Sequence, residues 1–134
     1  MSNITDKIRA IPGLYHGKGC SMKQIEEGQN CLGLKFSEEF IDYVKEYGAI
    51  SFYGTEWTGL NVDDYLNVVQ VTKQERDLNS NFPFDCIVIE NQGIDGIFVI
   101  INEEGQVFTI QYDKKEFLCD SLSEYLDICV ARKK

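Results

Sequence analysis

Basic residues are missing from a long part of this chain: between Lys45 and Lys73 there is no Lys or Arg. The same stretch carries Glu46, Glu56, Asp63 and Asp64. Long apolar runs are missing too. No window of roughly 18 apolar residues exists, which excludes a membrane-spanning helix. The opening "MSNITDKIRA" lacks the apolar stretch of a secretory signal, so the chain is expected to be soluble and cytoplasmic. The five cysteines, at 20, 31, 86, 119 and 129, form no Cys-x-x-Cys pair and fit no zinc spacing. An odd count without a secretion signal reads as reduced thiols, most of them small buried side chains.

Groups for catalysis are equally sparse. His16 is the only histidine. A general base needs a nucleophile in reach, and a metal site usually needs more than one such ligand. The surrounding "LYHGKGCS" fails as a phosphate loop. Pro12 stands where its first glycine should be, and Gly19 follows Lys18 in place of Ser or Thr. "GIDG", residues 93–96, spells the nucleic-acid clamp of KH domains, but it lies between two strand-like runs and reads as a turn. "NVDDY" and "NEEG" pair carboxylates without the calcium-loop spacing. No catalytic residue, cofactor or metal is expected, and the chain reads as a non-enzyme.

Charge narrows the partners. Against 22 acidic residues stand 13 basic ones, for a formal net charge of −9. Three of the positives crowd into the terminal Arg132–Lys134 run, so the rest of the chain is more acidic still. Nucleic-acid affinity rests largely on Lys and Arg displacing counterions, so direct nucleic-acid binding is not expected. An acidic field would instead speed encounter with a basic partner, although acidity also serves solubility alone.

The chain does hold material for a core. Its 134 residues suit one domain, read as 1–134, and a hydrophobic share of 43% suffices to bury a core without staples. Ser21 with Gln24 predicts a capping box opening a helix that Gly33 closes. Ser37, followed by Glu38 and Glu39, predicts a second helix ending at Gly48, with Phe40, Val44 and Tyr47 on one face. Phe36 and Ile41 stand where a hydrophobic staple would place them. Ser121 and Glu124 open a third helix, with Leu122, Tyr125, Leu126 and Cys129 as its apolar stripe. A shorter helix is expected from Thr72, and a weak one from Ile4 to Ala10 that stops at Pro12.

"CIVIEN", "GIFVII" and "QVFTIQY" read as strands, the last two joined by a hairpin at residues 102–105. Ile97 to Ile101 suggests a central strand covered on both faces. "VVQV", 68–71, and "TGLNV", 58–62, are read as shorter strands. The predicted class is α+β: an antiparallel or mixed sheet of about five to six strands, with helices leading and a C-terminal helix packed on it.

Residues 46–72 also hold Tyr47, Phe52, Tyr53, Trp57 and Tyr65. Interfaces favour Tyr and Trp, which bring large rigid area at low entropic cost. Phe52 reads as core; Tyr53, Glu56 and Trp57 fit core or partner equally well. The candidate partner-binding set is Tyr53, Glu56, Trp57, Asp63, Asp64 and Tyr65.

The stretch "IEEGQNCLGLKFSEEFIDYVKEYGAISFYGTEWTGLN" resembles the N-terminal signature of the SUKH superfamily, which includes the fungal cell-wall-assembly regulators. "GIDGIFVIINEEGQVFTIQYD" resembles the family's glycine, strand, hairpin and strand, and "CDSLSEYLDIC" its final helix. The resemblance spans about residues 21–130, and Gly48, Trp57, Gly59, Leu60, Gly96 and Ser121 fall on the signature. It departs at "GAIS", where a glycine-richer run is common. The resemblance implies an α+β domain without catalytic machinery. Many bacterial members neutralise toxins, often nucleases or deaminases, by stoichiometric complex formation. The expected partner is therefore a toxin with a basic surface; the alternative is a regulatory or scaffold module with another protein partner.

Overall fold

Helix boundaries follow local capping chemistry closely. In the computed structural model, which describes residues 3–94 and 96–132, α2 (Met22–Leu32) opens with both halves of the predicted box. Ser21 Oγ accepts the Gln24 N–H at 3.1 Å, and Gln24 Oε1 accepts the Ser21 N–H at 2.9 Å. Gly33 closes α2 in the left-handed conformation. Ahead of it lie α1 (Ile4–Arg9) and the two-residue strand β1 (Tyr15–His16). Next, α3 (Glu38–Tyr47) is capped by Ser37 and buries Phe40, Tyr43, Val44 and Tyr47 on one face. After the hairpin strands β2 (Ile50–Phe52) and β3 (Thr55–Trp57) come a short 3-10 turn, Asp64–Leu66, and α4 (Val68–Leu78). The strands β4 (Ile87–Asn91), β5 (Ile97–Ile101), β6 (Val107–Gln111) and β7 (Lys114–Cys119) then lead to α5 (Leu122–Ala131).

The fold is α+β, with its strands in two antiparallel sheets: β1-β2-β3 and β4-β5-β6-β7. Thr58 stitches them together. Its N–H donates to the Ile89 carbonyl at 2.8 Å and its hydroxyl to the Val88 carbonyl at 2.7 Å. One residue on, Gly59 bridges Asn67 in parallel. Within the larger sheet the central strand β5 is covered on both sides along residues 99–101, as the apolar run 97–101 suggested, while the edge strand β7 is exposed. Ile87, Ile89, Val99 and Ile101 join the main core with α1, α3 and α5, while Val88, Ile100 and Ile110 meet Phe82 and Cys86 on the opposite face.

Two backbone segments touch at the start of this core. A Cβ on Gly59 would lie 1.6 Å from the Gly48 carbonyl oxygen, so no side chain fits there. Gly48 itself has φ +74 and presses on the Lys18 carbonyl. The same crossing holds residues 58–67 close to the end of α3.

Three local expectations are corrected. Residues 68–71 are the first turn of α4, not a strand, and α4 starts at the Asn67 cap rather than at Thr72. Asn67 Oδ1 accepts the Val69 and Gln70 N–H groups at 3.0 and 3.1 Å, which propagates a helix through β-branched residues. Thr72 is buried, and its hydroxyl accepts the Val88 N–H at 3.1 Å instead of capping. The expected strand 58–62 does not form: β3 ends at Trp57, only an isolated bridge at Gly59 follows, and Asn61 turns to φ 59. β1 and β7 carry no apolar alternation, and only pairing reveals them.

Candidate functional site

β3 sorts the candidates by strand alternation alone. Successive side chains point to opposite faces, so Thr55 and Trp57 turn inward while Glu56 is exposed. Trp57 is 0% exposed. Its ring stacks on Tyr125 at 5.9 Å and meets Tyr43 edge-on at 5.4 Å. Trp57 therefore leaves the partner-binding set: an indole sealed between two tyrosines is core. Phe52, 2% exposed, is core as well.

Tyr53 sits at the tip of the β2–β3 hairpin, with φ 49, followed by Gly54 with φ 81. Two successive positive φ values mark the type I′ turn whose twist matches antiparallel strands. Asn-Gly is the usual signal for that turn, so Tyr-Gly concealed the hairpin from sequence inspection. Tyr53 is half-buried, edge-on to Phe52 at 5.7 Å.

The other candidates gather beside β3. The Tyr65 hydroxyl donates to Glu56 Oε2 at 3.2 Å, and the Glu56 carboxylate raises the pKa of that phenol. Tyr65 is 66% exposed and stands on the 3-10 turn, two residues after the exposed Asp63. The side chain of Asp64 lies outside the described residues. Asn61 anchors the loop: its Nδ2 donates to the Lys18 and Gly19 carbonyls at 3.4 Å each. The structure thus joins Glu56 to Tyr65, keeps Asp63 nearby in sequence on the surface, and leaves Tyr53 at the hairpin tip.

Two hollows flank this segment. One, of about 520 Å³, lies between α2 and the start of α4, with Glu27, Asn61, Asp63 and Gln70 in its walls. The other, of about 320 Å³, lies behind Tyr65 and is walled by Gln70, Glu75, Asn91 and Phe98. Gln70 borders both, and among the described residues no Lys or Arg lines either. Glu75 is half-buried, and burial raises its carboxyl pKa. Reading residues 68–71 as a strand hides that Gln70 and Glu75 share α4 beside these hollows, and the Asn67 cap is the signal that reveals them. Glu27 reaches its hollow from α2, a packing that no local pattern encodes.

Beneath the face lies a polar knot. Glu90, 5% exposed, accepts from the Tyr125 hydroxyl and pairs with Arg132 at 3.0 Å; Arg132 also donates to the Tyr125 hydroxyl at 2.9 Å. Burial pushes the Tyr125 hydroxyl well up and the Cys129 thiol up to about 11. The Cys86 thiol is likewise pushed up to about 12. These thiols stay protonated at neutral pH, as inert core groups do. His16 is exposed, with its Nδ1 on the Gly17 carbonyl at 2.7 Å and its ring edge-on to Tyr47. Among the described residues, no group of three or more His, Cys, Asp or Glu could hold a metal ion. No helix there is long and apolar enough to cross a membrane.

The candidate site is an acidic and carboxamide-rich surface on an α+β scaffold of helices and two antiparallel sheets. A family model described as SMI1-KNR4 cell-wall (SUKH_5) matches residues 1–130, and the chain belongs to that family. The fold recurs in a protein from Pseudomonas syringae pv. tomato known from its crystal structure. Identity is 14%, covering 95% of this chain and 96% of that one, with a TM-score of 0.72. No curated protein matches the chain.

Proposed function

We propose that this protein is a cytoplasmic immunity protein that binds and neutralises a bacterial toxin, a nuclease or other nucleic-acid-targeting protein, in a stoichiometric complex. The observation that carries the reading is the face around Glu56, Asp63 and Tyr65, exposed and flanked by hollows that no described basic residue lines. A protein that acts on nucleic acid presents basic surface to its substrate. An acidic face bearing a rigid tyrosine complements that surface in charge and offers an anchor. The protein works without catalysis, by covering the toxin's substrate site. Protection at cellular concentrations needs tight binding; a nanomolar complex corresponds to about −12 kcal/mol.

The test is co-expression with the toxin encoded beside this gene. Cells carrying the wild-type protein survive, and charge reversal at Glu56 and Asp63 weakens the complex and the rescue. Rescue that persists after reversal of every acid in residues 46–72 would overturn this face as the contact. An absent toxin gene, with capture of a non-toxin host protein, would favour the regulatory role that the cell-wall description of the family suggests.

A further inference from the structure

The hollow behind Tyr65 has walls of unlike chemistry. Phe98 and Tyr65 contribute aromatic rings; Gln70, Gln74 and Asn91 contribute carboxamides; among the described residues Glu75 contributes the only charge. No hydrogen bond or ion pair of the Glu75 carboxylate is found among the described residues, and burial is the sole cause raising its pKa. A partly buried carboxylate without a partner costs stability. Functional sites often carry groups that cost stability. At about 320 Å³ the space falls in the size range of ligand sites. Tyr65, one of its lining residues, is hydrogen-bonded to Glu56 and so ties the hollow to the face proposed above.

A guanidinium meets all three kinds of wall. It stacks flat on aromatic rings, pairs with a carboxylate through two parallel N–H groups, and has donors left for carboxamide oxygens. We propose that this hollow receives an arginine side chain of the partner protein, with Glu75 as its counter-ion. The inference rests on the immunity reading for the identity of the partner, but not for the chemistry of the hollow.

The test uses a probe rather than a toxin. A blocked Gly-Arg-Gly peptide is titrated into the labelled protein and followed by NMR, beside the same peptide with citrulline, a neutral isostere of arginine. Saturating shifts are expected at the side-chain amides of Gln70, Gln74 and Asn91. Ring-current shifts of the arginine δ protons should accompany them, from Phe98 and Tyr65. Citrulline and the Glu75→Gln variant should each weaken binding about tenfold or more, given a charge-assisted pair of about 1.5–3 kcal/mol. Glu75→Gln should also melt at a higher temperature at pH 7, which a carboxylate with a purely structural role would not produce. Shifts scattered over unrelated acids such as Glu26, Glu103 and Glu104, or affinity unchanged in Glu75→Gln, would overturn the proposal. A toxin co-expression failure leaves this titration standing, and a failed titration leaves the co-expression result standing.

Discussion

Trp57 and Glu56 are neighbours in sequence with opposite fates, and the pleat of β3 accounts for the difference. Trp57→Ala would empty a site closed by Tyr43 and Tyr125 and should cost about 3–5 kcal/mol, read from the denaturation midpoint. Glu56→Lys should leave that midpoint nearly unmoved, because the side chain is exposed. Glu75 behaves differently from both. Burial raises its folded-state pKa above the unfolded value of about 4.3. Any stability linked to its proton is present below that value and lost as pH rises through the folded-state pKa. Glu75→Gln should therefore be more stable than wild type at pH 7, with the difference vanishing on acidification below about pH 4. Equal midpoints at both pH values would show that the carboxylate is adequately solvated.

At the level of elements, the helices announce themselves best where a side chain caps them. Ser21, Ser37 and Ser121 each accept the N–H three residues on, because these polar contacts are local. Glu39 shows where locality ends: its carboxylate accepts the Leu122 N–H at 2.8 Å, across 83 residues, and so caps α5 from α3. The start of α4 runs against local propensity. Val68, Val69 and Val71 favour a strand by propensity, and the Asn67 cap together with burial of one face outweighs them. Asn67→Ala should cost about 1 kcal/mol and fray the first turn, seen as faster amide exchange at Val69 and Gln70. Thr72→Val should cost about 1–3 kcal/mol by leaving the buried Val88 N–H without an acceptor. β7 escaped notice because it is an edge strand with exposed Lys114, Lys115 and Glu116, a composition that discourages further pairing. Its place depends on register with β6, which no local pattern encodes.

For the whole molecule, the net charge of −9 bears on association more than on folding. Charge steering acts on encounter, so the association rate with the proposed basic toxin should fall about tenfold or more from low to high salt, while dissociation changes far less. Stopped-flow mixing across an ionic-strength series checks this, and a salt-independent association rate would remove steering from the account. The α+β class, the caps, the apolar stripes, the charge and the superfamily resemblance all follow from residues close together in the chain, where period and hydrogen-bond reach act directly. Division of the strands into two sheets joined at Thr58, and burial of Trp57 under an exposed Glu56, do not. Nor does the meeting of Tyr65, Gln70, Glu75 and Phe98 around one hollow. Those depend on contacts between distant segments, and above all on the close crossing of Gly48 and Gly59, whose geometry exists only once the chain has packed.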